Sequence, residues 1–208
     1  MYRKSAGLKI ALAQGIVAQV VFAGAAIIGG IAHPGYSHMS QAVSELTAAG
    51  AVNQGWLLAA FALMEVLTII FGVGYFICVR GTSNALTASA VTVAAIGVVG
   101  LAFARFPMDQ VGTPMTFDGR MHIVIVSVSA VLAISAVGLS GVAWRRLPGG
   151  RAMAQLSFAV LALMVAGGVI SALVATNGWP GIGIWQRLNN GAFGVWQIAT
   201  AVFLLRRS

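Results

Sequence analysis

The segment at positions 33–50 concentrates side chains that could act as acids, bases or ligands. It reads HPGYSHMSQAVSELTAAG and contains His33, His38, Ser44 and Glu45, whereas the whole chain is 59% hydrophobic and only 8% charged. Imidazole and carboxylate groups serve as general acids and bases, and they also bind metal ions. The segment is therefore predicted to be either a chemical site or an exposed polar loop.

A second group of such residues lies in the stretch RFPMDQVGTPMTFDGRMH, positions 105–122. Arg105 and Asp109 flank a proline, and an ion pair between them is expected. Asp118 stands where a helix should begin, so it is predicted to cap that helix. Because His122 follows Asp118 by four positions, both would share one helix face, where a carboxylate commonly orients a histidine.

Glu65 stands apart from both groups because it lies inside a long apolar run. A charge at the centre of a bilayer costs about 2.5 to 3.5 kcal/mol on insertion scales. We therefore expect Glu65 to be protonated, paired or facing a cavity. Its expected hydrogen-bond partners are the glutamines in or near other apolar runs: Gln14, Gln19, Gln155 and Gln197.

The composition identifies the elements that must position these residues. A mean hydropathy of +0.93 lies far outside the range of soluble domains. The apolar runs are long enough for membrane-spanning helices and lack the alternation of a transmembrane β-barrel. We predict an all-α fold, an integral membrane bundle of six transmembrane helices, with spans at about 9–32, 55–79, 85–106, 120–144, 152–176 and 189–205.

The spans leave no room for a soluble domain, so residues 1–208 are predicted to form a single transmembrane domain. The first apolar run is longer than the apolar core of a signal peptide and is expected to remain in the protein. Basic residues predict the orientation, because they accumulate in cytoplasmic loops. Nine of them fall on one side, predicted to be cytoplasmic together with both termini: Arg3, Lys4, Lys9, Arg80, Arg145, Arg146, Arg151, Arg206 and Arg207.

The remaining three basic residues, Arg105, Arg120 and Arg187, fall on the outer side with all the histidines and most of the acids. We predict a polar pocket at this extracytoplasmic mouth. The catalytic candidates are Glu45, Asp109 and His122. The binding candidates are His38, Ser44, Glu65, Arg105, Asp118 and Arg187.

The first outer loop is predicted to contain a short amphipathic helix. Pro34 ends the preceding span, Ser37 is a suitable N-cap, and the helix would end near Gly50. Met39, Val43 and Leu46 would form its apolar face, resting on the bundle.

Three sequence motifs resemble the signatures of a bacterial family of multi-pass membrane proteins known as domain of unknown function 998. They are YSHMSQAVSELTAAG, FPMD with GRMH, and GIGIWQR. The resemblance implies a compact six-helix bundle in the bacterial inner membrane but no reaction, and its matched positions are Ser44, Glu45, Pro107, Asp109, His122 and Arg187. Gln186 stands where such families often carry Glu, which removes a charge at that position.

Four functions remain compatible with these residues. The first is binding or handling of a lipid or small molecule at the outer mouth, with membrane lipids as partners and no cofactor. The others are a metal-dependent lipid hydrolase, a proton-coupled transporter using Glu65, and a structural subunit. No motif indicates a nucleotide, haem or nucleic-acid site, and the oligomeric state cannot be predicted from the sequence.

The hydrolase alternative would need a metal, with zinc as the expected ion. Its ligands would be His33, His38 and His122 with Asp118 or Asp109, and Glu45 or a further acid would be the general base for metal-bound water. This set is superficially similar to the histidine and aspartate arrangement of the alkaline ceramidase and adiponectin receptor superfamily. However, the chain has no His-x-x-x-His pair and one span fewer than that superfamily.

Overall fold

The computed structural model describes residues 5–207 and contains helices but no strand within that range. The predicted all-α bundle is confirmed, because all six long helices are apolar enough to cross a membrane. Arg3 and Lys4, which entered the orientation prediction, lie outside the described residues. The helices are α1 Ala6–Ile31, α2 Gln54–Val79, α3 Asn84–Gly100, α4 Phe117–Trp144, α5 Arg151–Thr176 and α6 Ile182–Arg207.

The observed helix limits lie close to the predicted spans at most positions. The main difference is α6, which begins at Ile182 instead of at 189. The first two turns of α6 contain polar residues that lower the local mean hydropathy, so the hydropathy pattern did not predict these turns as part of the span. A second difference is at α3, where the α-helix ends at Gly100 and a 3₁₀ segment, Leu101–Ala104, continues the membrane span.

The six helices form a closed ring. Each helix packs on its neighbours in the chain, and α1 also packs on α6. The connections therefore collect at two ends. We call the end carrying residues 32–53, 105–116 and 177–181 the polar end, and the opposite end, with residues 80–83 and 145–150, the basic end.

Most of the buried core lies in the half of the bundle nearer the basic end. Its largest fully buried side chains include Trp196, Tyr75 and Phe71. The Trp196 indole within it donates to Ser157 Oγ at 3.1 Å, whereas the Trp144 indole nitrogen has no partner among the described residues. Because lipid competes equally for apolar surface, close packing must hold such helices together, and small residues allow it. At Gly72 of α2, a Cβ would overlap the backbone of Ala94 in α3.

The first loop of the polar end is less helical than predicted. Ser37 accepts from the Ser40 amide at 3.3 Å, as an N-cap would, but only one turn, residues 38–40, follows it and no helix forms there. The helical part is a 3₁₀ segment, Val43–Thr47. Val43 and Leu46 are buried as expected, but Met39 is 65% exposed and does not rest on the bundle.

Candidate functional site

Three chain segments that are distant in sequence meet across the polar end. They are residues 36–50, residues 105–119 and the first turns of α6, and we call them together the cap. The first two are joined by backbone and side-chain bonds: the Ala49 amide donates to Met108 O at 2.9 Å, and Gln110 Nε2 donates to Ala49 O at 2.9 Å. The Ser44 hydroxyl donates to Met108 Sδ at 3.2 Å.

Arg187 joins the first segment of the cap to α6. Its Nη1 donates to the carbonyls of His38 at 2.6 Å and Gln41 at 2.9 Å. Its Nη2 donates to the Tyr36 hydroxyl at 2.6 Å and contacts His38 Nδ1 at 3.2 Å. Since a guanidinium only donates, His38 Nδ1 must accept in this arrangement. The Arg187 guanidinium therefore binds the protein's own atoms, mainly backbone carbonyls.

Tyr36 continues this network from Arg187 into the loop. Its hydroxyl donates to Ala42 O at 2.8 Å while it accepts from Arg187. Burial raises the pKa of Tyr36 above its ordinary value, and the Arg187 hydrogen bond opposes that change. The phenol therefore acts as a neutral structural link.

Glu45 is also used within the cap. Its Oε1 accepts from the Ala42 amide at 2.7 Å, and its Oε2 accepts from Gln41 Nε2 at 2.9 Å. The amide of Val43 donates to Gln186 Oε1. Gln186 thus has a defined partner, and the Glu45 carboxylate caps the N-terminus of the 3₁₀ segment.

In the second segment of the cap, Asp109 lies against the start of α4. Its carboxylate accepts from the Thr116 amide at 2.8 Å and from the Thr116 hydroxyl at 2.7 Å. These bonds lower the pKa of Asp109. Gly119 allows the approach, because a Cβ there would overlap the Asp109 carboxylate.

Two sequence predictions for this segment are wrong. The N-cap of α4 is Thr116, whose hydroxyl accepts from the Gly119 amide at 3.1 Å, and Asp118 lies in the first helical turn. Arg105 pairs with Asp118 at 3.4 Å instead of with Asp109. The reason is that Thr116 already binds both Asp109 oxygens, which leaves Asp118 as the acceptor facing Arg105.

A cleft of about 400 Å³ opens between the first two segments of the cap. Asp118 lies at its wall, and the Arg105–Asp118 pair is exposed, with 72% of the Arg105 side chain and 40% of the Asp118 side chain accessible. Two carboxylates line the cleft: Asp109, which is bound by Thr116, and Asp118, whose exposed partner Arg105 stands beside the cleft. The residues that line the cleft are Ala49, Pro107, Asp109, Thr116, Phe117 and Asp118.

His122 lies beneath the cap and is 6% exposed. The expected orienting bond from Asp118 is absent, because Asp118 faces Arg105 and His122 Nδ1 lies 3.0 Å from the carbonyl oxygen of Phe106. The ring packs on Phe103 with the two centroids 5.0 Å apart. The other ring nitrogen, Nε2, is enclosed and has no hydrogen-bond partner among the described residues.

Glu65 lies near the middle of α2 and is 7% exposed. Its Oε2 is enclosed without a partner in the described part of the chain, so none of the expected glutamines bonds to it. Gln197, for example, donates to Gly15 O at 3.2 Å. The carboxyl instead lies against Gly100 of α3, where a Cβ would overlap it.

The ligand set of the hydrolase alternative is not assembled. Within residues 5–207, no three His, Cys, Asp or Glu side chains lie close enough to hold a metal ion. His33 packs edge-on against Tyr36, His38 contacts Arg187, and Asp118 pairs with Arg105.

Several residues that build the site were not singled out from the sequence. Tyr36, Thr116, Gly119 and Gly100 are neutral and carry no charge or metal-ligand signal. Tyr36 and Gly119 fall inside the recognised motifs, and these motifs were the sequence signal that could have identified them. Gly100 lies in a glycine-containing apolar run that is indistinguishable from ordinary helix packing.

Comparison with known proteins agrees with the motifs. A family model described as "Protein of unknown function (DUF998)" matches residues 16–203. No curated protein and no solved structure matches the chain. The matched region includes all three segments of the cap, the cleft, His122 and Glu65. The chain therefore belongs to the DUF998 family of proteins of unknown function.

Proposed function

We propose that this multi-pass membrane protein binds the head group of a zwitterionic phospholipid in the polar-end cleft. The observation that carries the proposal is the exposed Arg105–Asp118 pair at a cleft of about 400 Å³. An ion pair this exposed contributes only about 0 to 1 kcal/mol. A ligand can therefore open the pair at little cost.

A cation and an anion side by side, Arg105 and Asp118, favour a ligand that itself carries both charges. The phosphate of a phosphoethanolamine head group would accept from the Arg105 guanidinium, and its ammonium would donate to the Asp118 carboxylate. A purely anionic head group would leave Asp118 unpaired and close to another negative charge. The amine-bearing lipid is therefore the expected ligand, and phosphatidylglycerol is the expected weaker competitor.

The surroundings of the cleft support an amphipathic ligand. Val111, Met115 and Phe117 are exposed apolar side chains on the same segment of the cap. At a membrane surface, such side chains favour the boundary between head groups and acyl chains. They would contact the glycerol and the upper acyl chain of a lipid held by Arg105 and Asp118.

Lipid retention by the purified protein tests this function. Delipidated protein would be exposed to equal amounts of phosphatidylethanolamine and phosphatidylglycerol and then examined by native mass spectrometry. We expect preferential retention of the ethanolamine lipid, with Arg105→Gln and Asp118→Asn each weakening it about tenfold or more, since a bond to a charged group contributes about 1.5 to 3 kcal/mol. The matched control is Arg120→Gln, which removes an exposed arginine of the same end. Equal retention of both lipids, or unchanged retention in both cleft variants, would refute the proposal.

The proposal also sets the polar end outside the bacterial inner membrane, with both termini in the cytoplasm, as the basic residues predict. Cys78 is the single cysteine, so a Cys78→Ala background allows site-specific labelling. An impermeant maleimide added to intact cells should label a cysteine at position 110 and not one at position 149. The reverse pattern would place the cleft inside the cell.

A further inference from the structure

Glu65 is a carboxyl group for which the protein provides space but no partner. At 1.5 Å per residue it lies about 16 Å along α2 from Gln54, near mid-span. Its Oε2 is enclosed, and the side chain is more than nine-tenths buried. The facing helix α3 presents Gly97 and Gly100 there, and a Cβ at Gly100 would displace the carboxyl.

His122 is a second buried group with one unused atom. A carbonyl oxygen only accepts, so the bond to Phe106 O requires that Nδ1 carries the hydrogen. The neutral ring then has its lone pair on Nε2, which has no partner among the described residues. This nitrogen is a base that the protein's own hydrogen bonds leave free.

Both groups lie against the same short element. The 3₁₀ segment Leu101–Ala104 begins directly after Gly100, which contacts the Glu65 carboxyl. Phe103, inside this segment, packs on the His122 ring. A 3₁₀ stretch that continues an α-helix often marks a hinge. Glu65 and His122 therefore adjoin the two ends of one short stretch, residues 100–104.

Few charged groups face these two side chains. Asp109 is the acid whose charge acts on His122, and it lies on the cleft that is open to solvent. On α3, Gly100 lies against the Glu65 carboxyl, and the described residues give this carboxyl no ion pair. A metal cation would require several oxygen ligands, which a single carboxyl does not supply. A proton needs only one oxygen.

From this geometry we propose that Glu65 is a proton-binding site inside the membrane, and that it exchanges protons with the polar end through His122. A hydronium ion at the polar end gives its proton to the Nε2 lone pair, which forms an imidazolium and leaves water. Transfer through water along the 3₁₀ segment returns the ring to neutral and converts the Glu65 carboxylate to the carboxylic acid. The proposal does not require a lipid in the cleft, so the two functions can fail independently.

Infrared spectroscopy of the reconstituted protein can follow this proton directly. The carbonyl stretch of a protonated carboxyl is assigned to Glu65 if it disappears in Glu65→Gln, and its shift in D₂O measures exchange. We expect the wild-type band to shift readily and His122→Asn to slow the shift, because asparagine keeps a donor for Phe106 O but lacks the basic nitrogen. The matched control is His33→Asn, since His33 also has an enclosed, unpartnered ring nitrogen but contacts Tyr36.

Each outcome decides the proposal. A Glu65-dependent band whose exchange is slowed by His122→Asn and not by His33→Asn supports the site and its route. If no carboxyl band depends on Glu65, the site does not bind a proton. If both histidine variants slow exchange equally, or neither does, the route through His122 is wrong.

Discussion

Arg187→Met should release the first segment of the cap from α6. The guanidinium donates to the carbonyls of His38 and Gln41 and to the hydroxyl of Tyr36. Methionine keeps the bulk of the side chain and removes every donor. A bond to a charged group contributes about 1.5 to 3 kcal/mol, and because these three share one guanidinium, their combined loss is about 3 kcal/mol. The docked form of the segment should then be disfavoured roughly a hundredfold.

Amide hydrogen exchange in nanodiscs measures this release. The reporters are the amides of Val43 and Ile184, which donate between the segment and α6, to Gln186 Oε1 and to Met39 O. Their protection should fall roughly a hundredfold in Arg187→Met, as the free energy above requires. Arg120→Met is the control, because it removes an arginine of the same end whose side chain makes no hydrogen bond within residues 5–207. Unchanged protection in Arg187→Met would refute the idea that this residue holds the cap closed.

Two further predictions concern the start of α4. Gly119→Ala should destabilise the protein by about 1 to 3 kcal/mol, the usual cost of overpacking, because the new Cβ overlaps the Asp109 carboxylate, whereas Gly191→Ala, at a helical glycine with open space around it, should not lower the thermal midpoint. The lowered pKa of Asp109 predicts a contribution to stability that is fully present above its ordinary pKa of 3.8 and is lost as the pH falls through the lowered value. Thermal unfolding of wild type and Asp109→Asn across that window measures it, because asparagine does not titrate; an identical acid sensitivity in the two proteins would contradict this assignment.

The cap shows why some side-chain contacts were predicted wrongly. Arg105 has two acids within reach along the chain, and nearness in sequence favoured Asp109. The fold brings Thr116 onto Asp109 and turns Asp118 toward Arg105 instead. Which acid Arg105 pairs with depends on which donors lie next to each carboxylate in the folded protein. Spacing along one helix or loop does not contain that information.

The role of Arg187 was hidden for a related reason. Its partners are backbone carbonyls about 150 residues earlier in the chain, with a separation of 149 to His38. Every residue has such a carbonyl, so no side-chain pattern identifies the partner. The arginine was expected to meet a ligand, whereas the fold uses it to hold a loop.

Hydropathy alone determined the class of this protein, its helix number and the approximate limits of most helices, because crossing a bilayer requires long apolar segments whose backbone bonds are internal. The motifs indicated the family and the segments that matter. Only the tertiary structure showed that Glu45, Asp109 and Arg187 form hydrogen bonds within the cap. It also showed that Glu65 and His122, each with one unpartnered buried atom, lie next to the same short stretch, residues 100–104. The physical reason is that hydrophobicity adds up locally along the chain, whereas a hydrogen bond or a buried, unpaired atom depends on neighbours that only folding brings together.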